Sequence, residues 1–528
     1  MNSNRIDIIK YIGKRIQSQY WITLVSGLVI GMITHFFMLT NKIPNWDDIT
    51  NYDSPGSQSF LGRWFLGYVH KIGGKPSAPA VHGFLMILAL SLAACVVMRI
   101  LELKSVTSAV LTAAIMVTFP SVACTMSFMF MAHTSGIAIL MNCLAIYCFR
   151  RWKWGYVPGA VLIILALGIY QSYVSIAIAL VLMGMITDLI HGKDSVKVAI
   201  KGIVSAATFG ICVVIYKRIC YIFYPSMADS EYGGIGEMGE MALSDIPINA
   251  GRAYKRFLEY FLYKPFEFVT KWMQRTNIIV CILAVIFFVL IVYTTKMWKD
   301  WKRLTVITVA AFFMPLAVAF VYFMAPEAPF SMLMLYAYTL IYVMVVALLE
   351  DVTGIMGLGD GTINSKQVIS VVLSFITVVT LCINCHSNYL LTNKAYYRSF
   401  FAFERTEAYY NRIIAMLEQT EGYEYGDDVL IGGDFYYATN PAPIERDIFD
   451  SEALRTMDGV ALENGMITEG VRHEFVETFI GFPMGYIHDD VREKIYASDE
   501  FREMPHYPKD GCIRKIEGVW VVKLEEEN

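Results

Sequence analysis

The sequence predicts a polytopic α-helical membrane protein of about eleven transmembrane helices with a C-terminal extracytoplasmic α/β domain. Three observations carry this. Of 528 residues, 56% are hydrophobic and 17% charged, against about 25% charged in soluble domains. Many apolar runs reach the length of roughly 20 residues that a bilayer requires. The charge is also divided between the two parts of the chain. Residues 394–528 hold 14 Lys and Arg against 28 Asp and Glu, a net −14, whereas 1–393 hold 29 against 19, a net +10. Such asymmetry predicts two environments, a basic membrane-embedded unit over 1–393 and an acidic solvated unit over 394–528. A net −14 domain argues against nucleic acid as its partner.

In chain order the predicted spans are 20–40, 79–98, 105–122, 127–149, 156–171, 173–190, 199–222, 277–295, 304–323, 331–349 and 367–384. The lead carries Arg5, Lys10, Lys14 and Arg15, but the run after it is too long for a cleaved signal, so an uncleaved first helix is expected. The fifth and sixth spans are short; they read as one broken helix or as two short helices meeting at Tyr170-Gln171-Ser172-Tyr173. Basic clusters fall at 5–15, Arg99/Lys104, Arg150/Arg151/Lys153, 193–201 and 296–303. The positive-inside rule puts them all on the cytoplasmic side. The N-terminus is then inside, and after an odd number of spans the acidic domain is outside.

The C-terminal region opens with a helical pattern at 396–422, with Gly422 as a cap. Short apolar runs at "DDVLIGGDF" and at 516–524 read as strands. The cysteines lie mostly in or beside apolar runs, and "CINC" at 382–385 reads as helix-end cysteines rather than a redox pair. "GIGEMG" at 234–239 has the letters of a dinucleotide fingerprint without a strand–turn–helix setting, and reads as a loop. "HEFVE" at 473–477 lacks the second histidine of a metalloprotease helix. The histidines show no ligand spacing, so no metal is expected. His35, in the first span, reads as a satisfied core residue.

The chemistry points to "NKIPNWDDITNYDSPGSQSFLGRWFLGYVHKIGG", residues 41–74. Asp47 and Asp48 follow the first span directly. An acid pair at a helix end is often merely solvated. Here, however, the segment from Ser57 to Ile72 sets Phe60, Trp64, Phe65, Tyr68 and Val69 in an amphipathic stripe suited to the bilayer interface. Carboxylates beside such a helix suit a reaction between a lipid-borne and a water-borne group. One Asp would serve as general base, with Asp47 slightly favoured. Outer-face cations, Arg63, Lys71, Arg252, Lys255, Arg256 and Lys264, are candidates for binding a phosphate. Trp46, Trp64, His133, Tyr170, Gln171, Tyr173 and Glu327 are candidates for lining the substrate site.

The layout resembles the GT-C class of membrane glycosyltransferases. Within it, the chain resembles the serotype-converting O-antigen glucosyltransferase II family of bacteria and phages, through "NWDD" at 45–48, "LGRW" at 61–64, "GIYQSYVS" at 168–175, "FERTEAYYNRIIAMLE" at 403–418 and the closing "VVKL" strand. Related chains lead one to expect an arginine in the stretch that here reads "APFSMLMLYAY", 328–338, which has none. The resemblance implies transfer of a hexose, glucose by kinship, from a polyprenyl phosphate to a hydroxyl of a cell-surface glycan, at a bacterial cytoplasmic membrane. It implies no cofactor beyond the lipid-linked donor. It also implies two functional partners, a glycosyltransferase that charges the lipid and a flippase. A lipid-linked sugar transporter would instead show inverted repeats and helices broken at mid-membrane. A non-catalytic membrane scaffold displaying a binding domain would leave Asp47 and Asp48 without a purpose.

Overall fold

The computed structural model describes residues 16–56, 61–223, 243–263, 270–325, 332–357, 365–433 and 469–524. Among them, ten helical segments are long and apolar enough to cross a membrane, and Tyr156–Leu167 is a shorter apolar helix. These are α1 (Ser18–Thr40), α4 (Pro79–Ile100), α5 and α6 (Val106–Thr118 and Pro120–Ser127, one span bent at Pro120), α7 (Ala132–Arg151), α8 (Tyr156–Leu167), α9 (Val174–Ile190), α10 (Ser195–Phe223), α12 (Lys271–Thr294), α13 (Trp301–Val318), α15 (Thr339–Met356) and α16 (Ser365–Glu418). Two short helices, α2 (Trp46–Thr50) and α3 (Leu66–His70), follow α1; α11 (Ile246–Phe261) and α14 (Phe320–Met324) lie later in the chain.

The centre of the bundle is α5–α6 with α15, both almost wholly covered, whereas α10, α12 and α13 present most of their surface outward. Their outward residues are apolar, among them Ile203, Val214, Val285 and Phe312. A helix that is apolar all round and exposed belongs in lipid. Polar groups inside the bundle tie helices together. His35 of α1 joins the Tyr396 hydroxyl of α16 at 2.7 Å and the Val117 carbonyl of α5 at 2.9 Å, so it is a satisfied core residue as expected. The Tyr342 hydroxyl donates to Asn277 at 2.6 Å and the Asn384 amide to Thr276 at 2.8 Å, linking α15, α12 and α16. Such interhelical bonds contribute roughly 1 kcal/mol each in a membrane.

The fifth and sixth spans are two helices. α8 ends at Leu167, a 3₁₀ turn covers Gln171–Tyr173, and α9 begins at Val174. At 1.5 Å per residue α8 is only about 18 Å long, short of a hydrocarbon core of roughly 30 Å. The segment around Arg63–Leu66 fills the shortfall. The amides of Phe65 and Leu66 both donate to the Gly168 carbonyl, at 2.8 and 3.2 Å. This segment is therefore a folded-in loop with one short helix, not the continuous interfacial helix expected over 57–72; residues 57–60 lie outside the described residues.

The expected last span and the expected separate helix at 396–422 are one element. α16 runs unbroken for 54 residues, across position 393/394, and ends at Glu418. Cys382 and Cys385 accordingly lie inside a helix rather than at its end, and all ten cysteines are free thiols. Beyond α16, β1 (Val429–Gly432), α17 (Glu469–Phe475), α18 (Asp489–Ala497), α19 (Asp499–Glu503), β2 (Ile513–Ile516) and β3 (Val519–Lys523) form a small α/β unit. Its sheet order is β1-β3-β2, with β1 parallel and β2 antiparallel to β3. The run expected as one strand over 516–524 contains a hairpin turn at Glu517-Gly518, both with positive φ. That is the geometry favoured in a two-residue hairpin. One core cluster of this unit contains Tyr410, Phe475 and Val522 together with Ile49 of α2, which is 1% exposed. The acidic unit therefore sits directly on the short helix that carries Asp47 and Asp48. "GIGEMG" lies outside the described residues.

Candidate active site

Helix α2 is a single turn capped by Asn45, whose side chain accepts the Asp48 amide at 2.8 Å. Acids in a first helical turn face the free amides of the helix start, which favours them there. Successive residues on such a turn are about 100° apart, and the two carboxylates diverge into different surroundings.

Asp48 is completely buried. Its Oδ2 accepts the Met129 amide at 3.0 Å; its Oδ1 accepts the Phe130 amide at 2.9 Å and the Ser77 hydroxyl at 3.2 Å. Burial pushes its carboxyl up to about 6, against the opposing pull of Lys42 and of these donors. The Lys42 ammonium donates to the Ser77 carbonyl at 3.1 Å and lies 4.6 Å from the centre of the Tyr52 ring. Asp48 thus clamps three separate stretches, at 42–48, 77 and 129–130. Three of the roughly four acceptor sites of this carboxylate are taken, and closure to solvent keeps a substrate hydroxyl from the fourth.

Asp47 is half-buried, and no hydrogen bond among the described residues engages its carboxylate. Burial holds its carboxyl above the ordinary range, and the opposing charge is Arg63. Arg63 is placed by the helix break. Gln171 donates to the Leu61 carbonyl and to the Tyr216 hydroxyl, both at 2.7 Å, and Tyr216 donates to the Gly62 carbonyl at 3.1 Å. Trp64 packs so closely that a Cβ on Gly168 would stand 2.7 Å from its ring. The Arg63 guanidinium is then held 4.8 Å from the centre of the Tyr170 ring, a cation–π contact. Its Nε is buried without a hydrogen-bond partner, as is the Trp64 indole nitrogen.

A second group lies beside the Asp48 clamp. The rings of His70, His82 and His133 cluster at centroid distances of 4.3 to 5.8 Å, all three buried. His82 Nδ1 meets the Met129 carbonyl at 3.1 Å and His133 Nε2 the His70 carbonyl at 3.2 Å. A carbonyl only accepts, so each contacting nitrogen carries the hydrogen. The remaining nitrogens, His82 Nε2 and His133 Nδ1, are buried without hydrogen-bond partners among the described residues. Among the described residues, no three His, Cys, Asp or Glu side chains are grouped to hold a metal ion. Burial, then His82 and Lys75, hold His70 below the ordinary imidazole range.

The structure thus gathers Asp47, Asp48, Arg63, Trp64, Tyr170, Gln171, Tyr173 and His133 at one end of the bundle. The other described cations make contacts of their own. Lys71 is exposed over the Tyr68 ring at 5.6 Å. On α11, which packs against α13 and α14, Lys255 and Arg256 pair locally with Glu259. Arg252 is on the same helix. Lys264, Glu327 and the Trp46 side chain lie outside the described residues. Sequence reasoning missed Lys42, Ser77, His70, His82 and Tyr216. Lys42 and His70 lie in the same 41–74 stretch as Asp48, which was a usable signal; Ser77, His82 and Tyr216 are joined to the site only by folding.

The fold and this end of it are those of a polytopic helical membrane protein whose small α/β unit sits against an acid pair, with the Arg63 charge acting on Asp47. The chain belongs to the glucosyl transferase GtrII family, whose model matches residues 36–349, more than half of its length. The match spans the acid pair, the Arg63 loop and the helix break, and stops before α16 and the α/β unit. Comparison with curated proteins and with solved structures gave no match.

Proposed function

We propose that this protein is a GT-C-type glycosyltransferase of a bacterial cytoplasmic membrane. It moves a hexose, glucose by kinship, from a polyprenyl phosphate to a hydroxyl of an O-antigen-like surface glycan on the extracytoplasmic face. One observation carries the residue assignment. Asp47 offers an unbonded, half-exposed carboxylate under the charge of Arg63, while its neighbour Asp48 is sealed from solvent and holds three donors. Asp47 is the base and Asp48 the brace that holds its helix.

In the reaction the acceptor oxygen attacks the anomeric carbon as its proton passes to the Asp47 carboxylate. The new glycosidic C–O bond forms while the bond from that carbon to the phosphate oxygen breaks, with inversion. The leaving polyprenyl phosphate gains negative charge, and Arg63, oriented by Tyr170 and the Gln171–Tyr216 brace, faces it. A preplaced cation at a developing charge lowers the barrier without reorganising. An apolar crevice at the helix break, lined by Val213, Phe320 and Met324 beside Gln171, suits the first isoprene units of the donor. A glycosyltransferase that charges the lipid and a flippase would supply the donor. The test is transfer from a synthetic polyprenyl phosphate glucose by purified protein. Asp47→Asn should lower turnover about 10²- to 10⁴-fold while Asp48→Asn lowers stability; wild-type turnover in a folded Asp47→Asn protein would overturn the assignment.

A further inference from the structure

The end of the bundle opposite the acid pair holds a cavity of about 780 Å³. Along α4, His82 lies by the acids and Arg99 by this cavity, 17 residues or about 25 Å apart. The walls come from the ends of α1, α4, α7, α8, α9 and α10. Six basic side chains face two acids, Glu102 and Asp188. The acids are already engaged. Asp188 takes both guanidinium nitrogens of Arg150, at 2.6 and 3.1 Å, and Lys193 bridges Asp188 and Glu102 at 2.7 and 3.1 Å. Gly184 makes this possible, since a Cβ there would stand 2.5 Å from the Arg150 guanidinium.

Arg99, Lys104, Arg151 and Lys201 are left around the rim, exposed and with no ion pair among the described residues. Arg99 is steered by the Tyr20 hydroxyl at 3.3 Å. Four positive charges converging on one concave space repel one another unless an anion enters. The depth of the cavity identifies that anion's carrier. The basic residues stand at the ends of spanning helices, and Trp152 and Trp154, 54% and 75% exposed, stand at the same level. Exposed tryptophans beside arginines mark the headgroup layer. Basic pockets between helices at that level suit phosphate headgroups.

We propose that this cavity is a binding site for the phosphate of an anionic glycerophospholipid, in the leaflet opposite the acid pair. The headgroup phosphate sits among Arg99, Arg151, Lys104 and Lys201, above the Arg150–Asp188–Lys193 lattice. The acyl chains leave along the exposed apolar faces of α8 and α10, where Val161 and Ile203 point outward. The site does not depend on the glycosyl-transfer reading.

The test is a thermal-shift and native mass-spectrometry titration of the purified full-length protein in detergent. The probes are dioleoyl phosphatidylglycerol, dioleoyl phosphatidylcholine and inorganic phosphate. Phosphatidylglycerol should raise the melting temperature saturably and give a discrete adduct, and phosphatidylcholine should do neither. Arg99→Gln with Lys201→Gln should weaken phosphatidylglycerol binding at least about tenfold, roughly the loss of 1.4 kcal/mol. Arg151→Gln alone, on the exposed rim, serves as a milder second variant with a smaller loss. Lys197→Gln, at the same end but outside the cavity, should bind as wild type. Equal stabilisation by the two lipids, or unchanged phosphatidylglycerol binding in the cavity variants, would overturn the site. Inorganic phosphate acting as strongly as phosphatidylglycerol would overturn the lipid as its ligand.

Discussion

At the scale of single residues, two adjacent aspartates carry opposite assignments because their solvation differs. In the proposed reaction Asp47 is the base, so Asp47→Asn should remove chemistry and little structure. Turnover should fall about 10²- to 10⁴-fold with an unchanged melting temperature, measured by transfer from a lipid-linked sugar and by thermal unfolding. Asp48→Asn should do the reverse. One carboxylate oxygen becomes an NH₂ pointing at a backbone amide of Met129 or Phe130, or at the Ser77 hydroxyl. A buried donor left facing a donor costs about 1–3 kcal/mol. Its pH signature is specific. The Asp48 carboxyl is pushed up to about 6 in the folded protein, above its unfolded value of about 4. The native state therefore binds more protons than the unfolded state in between, and this group's contribution is full below about pH 4 and lost as pH rises through about 6. Unfolding midpoints measured from pH 4 to 7 should lose most of this slope in Asp48→Asn and less of it in Asp47→Asn, whose carboxyl burial also holds above the ordinary range.

At the scale of elements, the helix break at 168–173 sets the position of Arg63, and Gly168 is the hinge of that arrangement. A side chain there meets Trp64 at 2.7 Å and the Phe65 Cβ at 3.1 Å. Gly168→Val should push the Arg63–Phe65 segment off the end of α8 and weaken donor binding, while the other spans stay folded. Donor affinity and circular dichroism together check this; an unchanged donor Kd would count against the placement of Arg63. The spans and the break at 170–173 were legible because continuous apolarity and its interruption are local signals. The Arg63 loop was misread as one amphipathic helix because its partners, Gly168, Gln171 and Tyr216, are over 100 residues away. The Asp48 clamp was hidden for the same reason, with amide donors 81 and 82 positions on. α16 was divided in two because hydropathy falls near residue 385, yet its 54 residues contain neither Gly nor Pro, and the backbone has no cause to stop.

At the scale of the whole molecule, the acid pair and the acidic unit share one end and the basic cavity occupies the other. We propose from the positive-inside rule that the C-terminus is outside. A reporter fused after Asn528 should be active only in its extracytoplasmic form; cytoplasmic activity would reverse the site's orientation. The acidic unit touches the site directly. Ile49, next to Asp48, is 1% exposed in that unit's core, and Tyr52 meets the Phe479 ring edge-on at 6.2 Å. Deleting the unit from residue 396 would also remove the Tyr396 bond to His35 and open the bundle, so a smaller change tests its role better. Ile49→Ala should cost about 2–5 kcal/mol and loosen the unit as a whole, seen as faster proteolysis beyond α16. Phe479→Ala is gentler, because Phe479 is half-buried and Phe475 still fills the core. Loss of one interfacial aromatic contact costs about 1–2 kcal/mol. If the unit holds the acceptor glycan over Asp47, that cost should appear as a roughly tenfold rise in acceptor KM, with donor Kd unchanged. A donor Kd that weakens in step, in a protein that melts normally, would assign the unit to the donor instead.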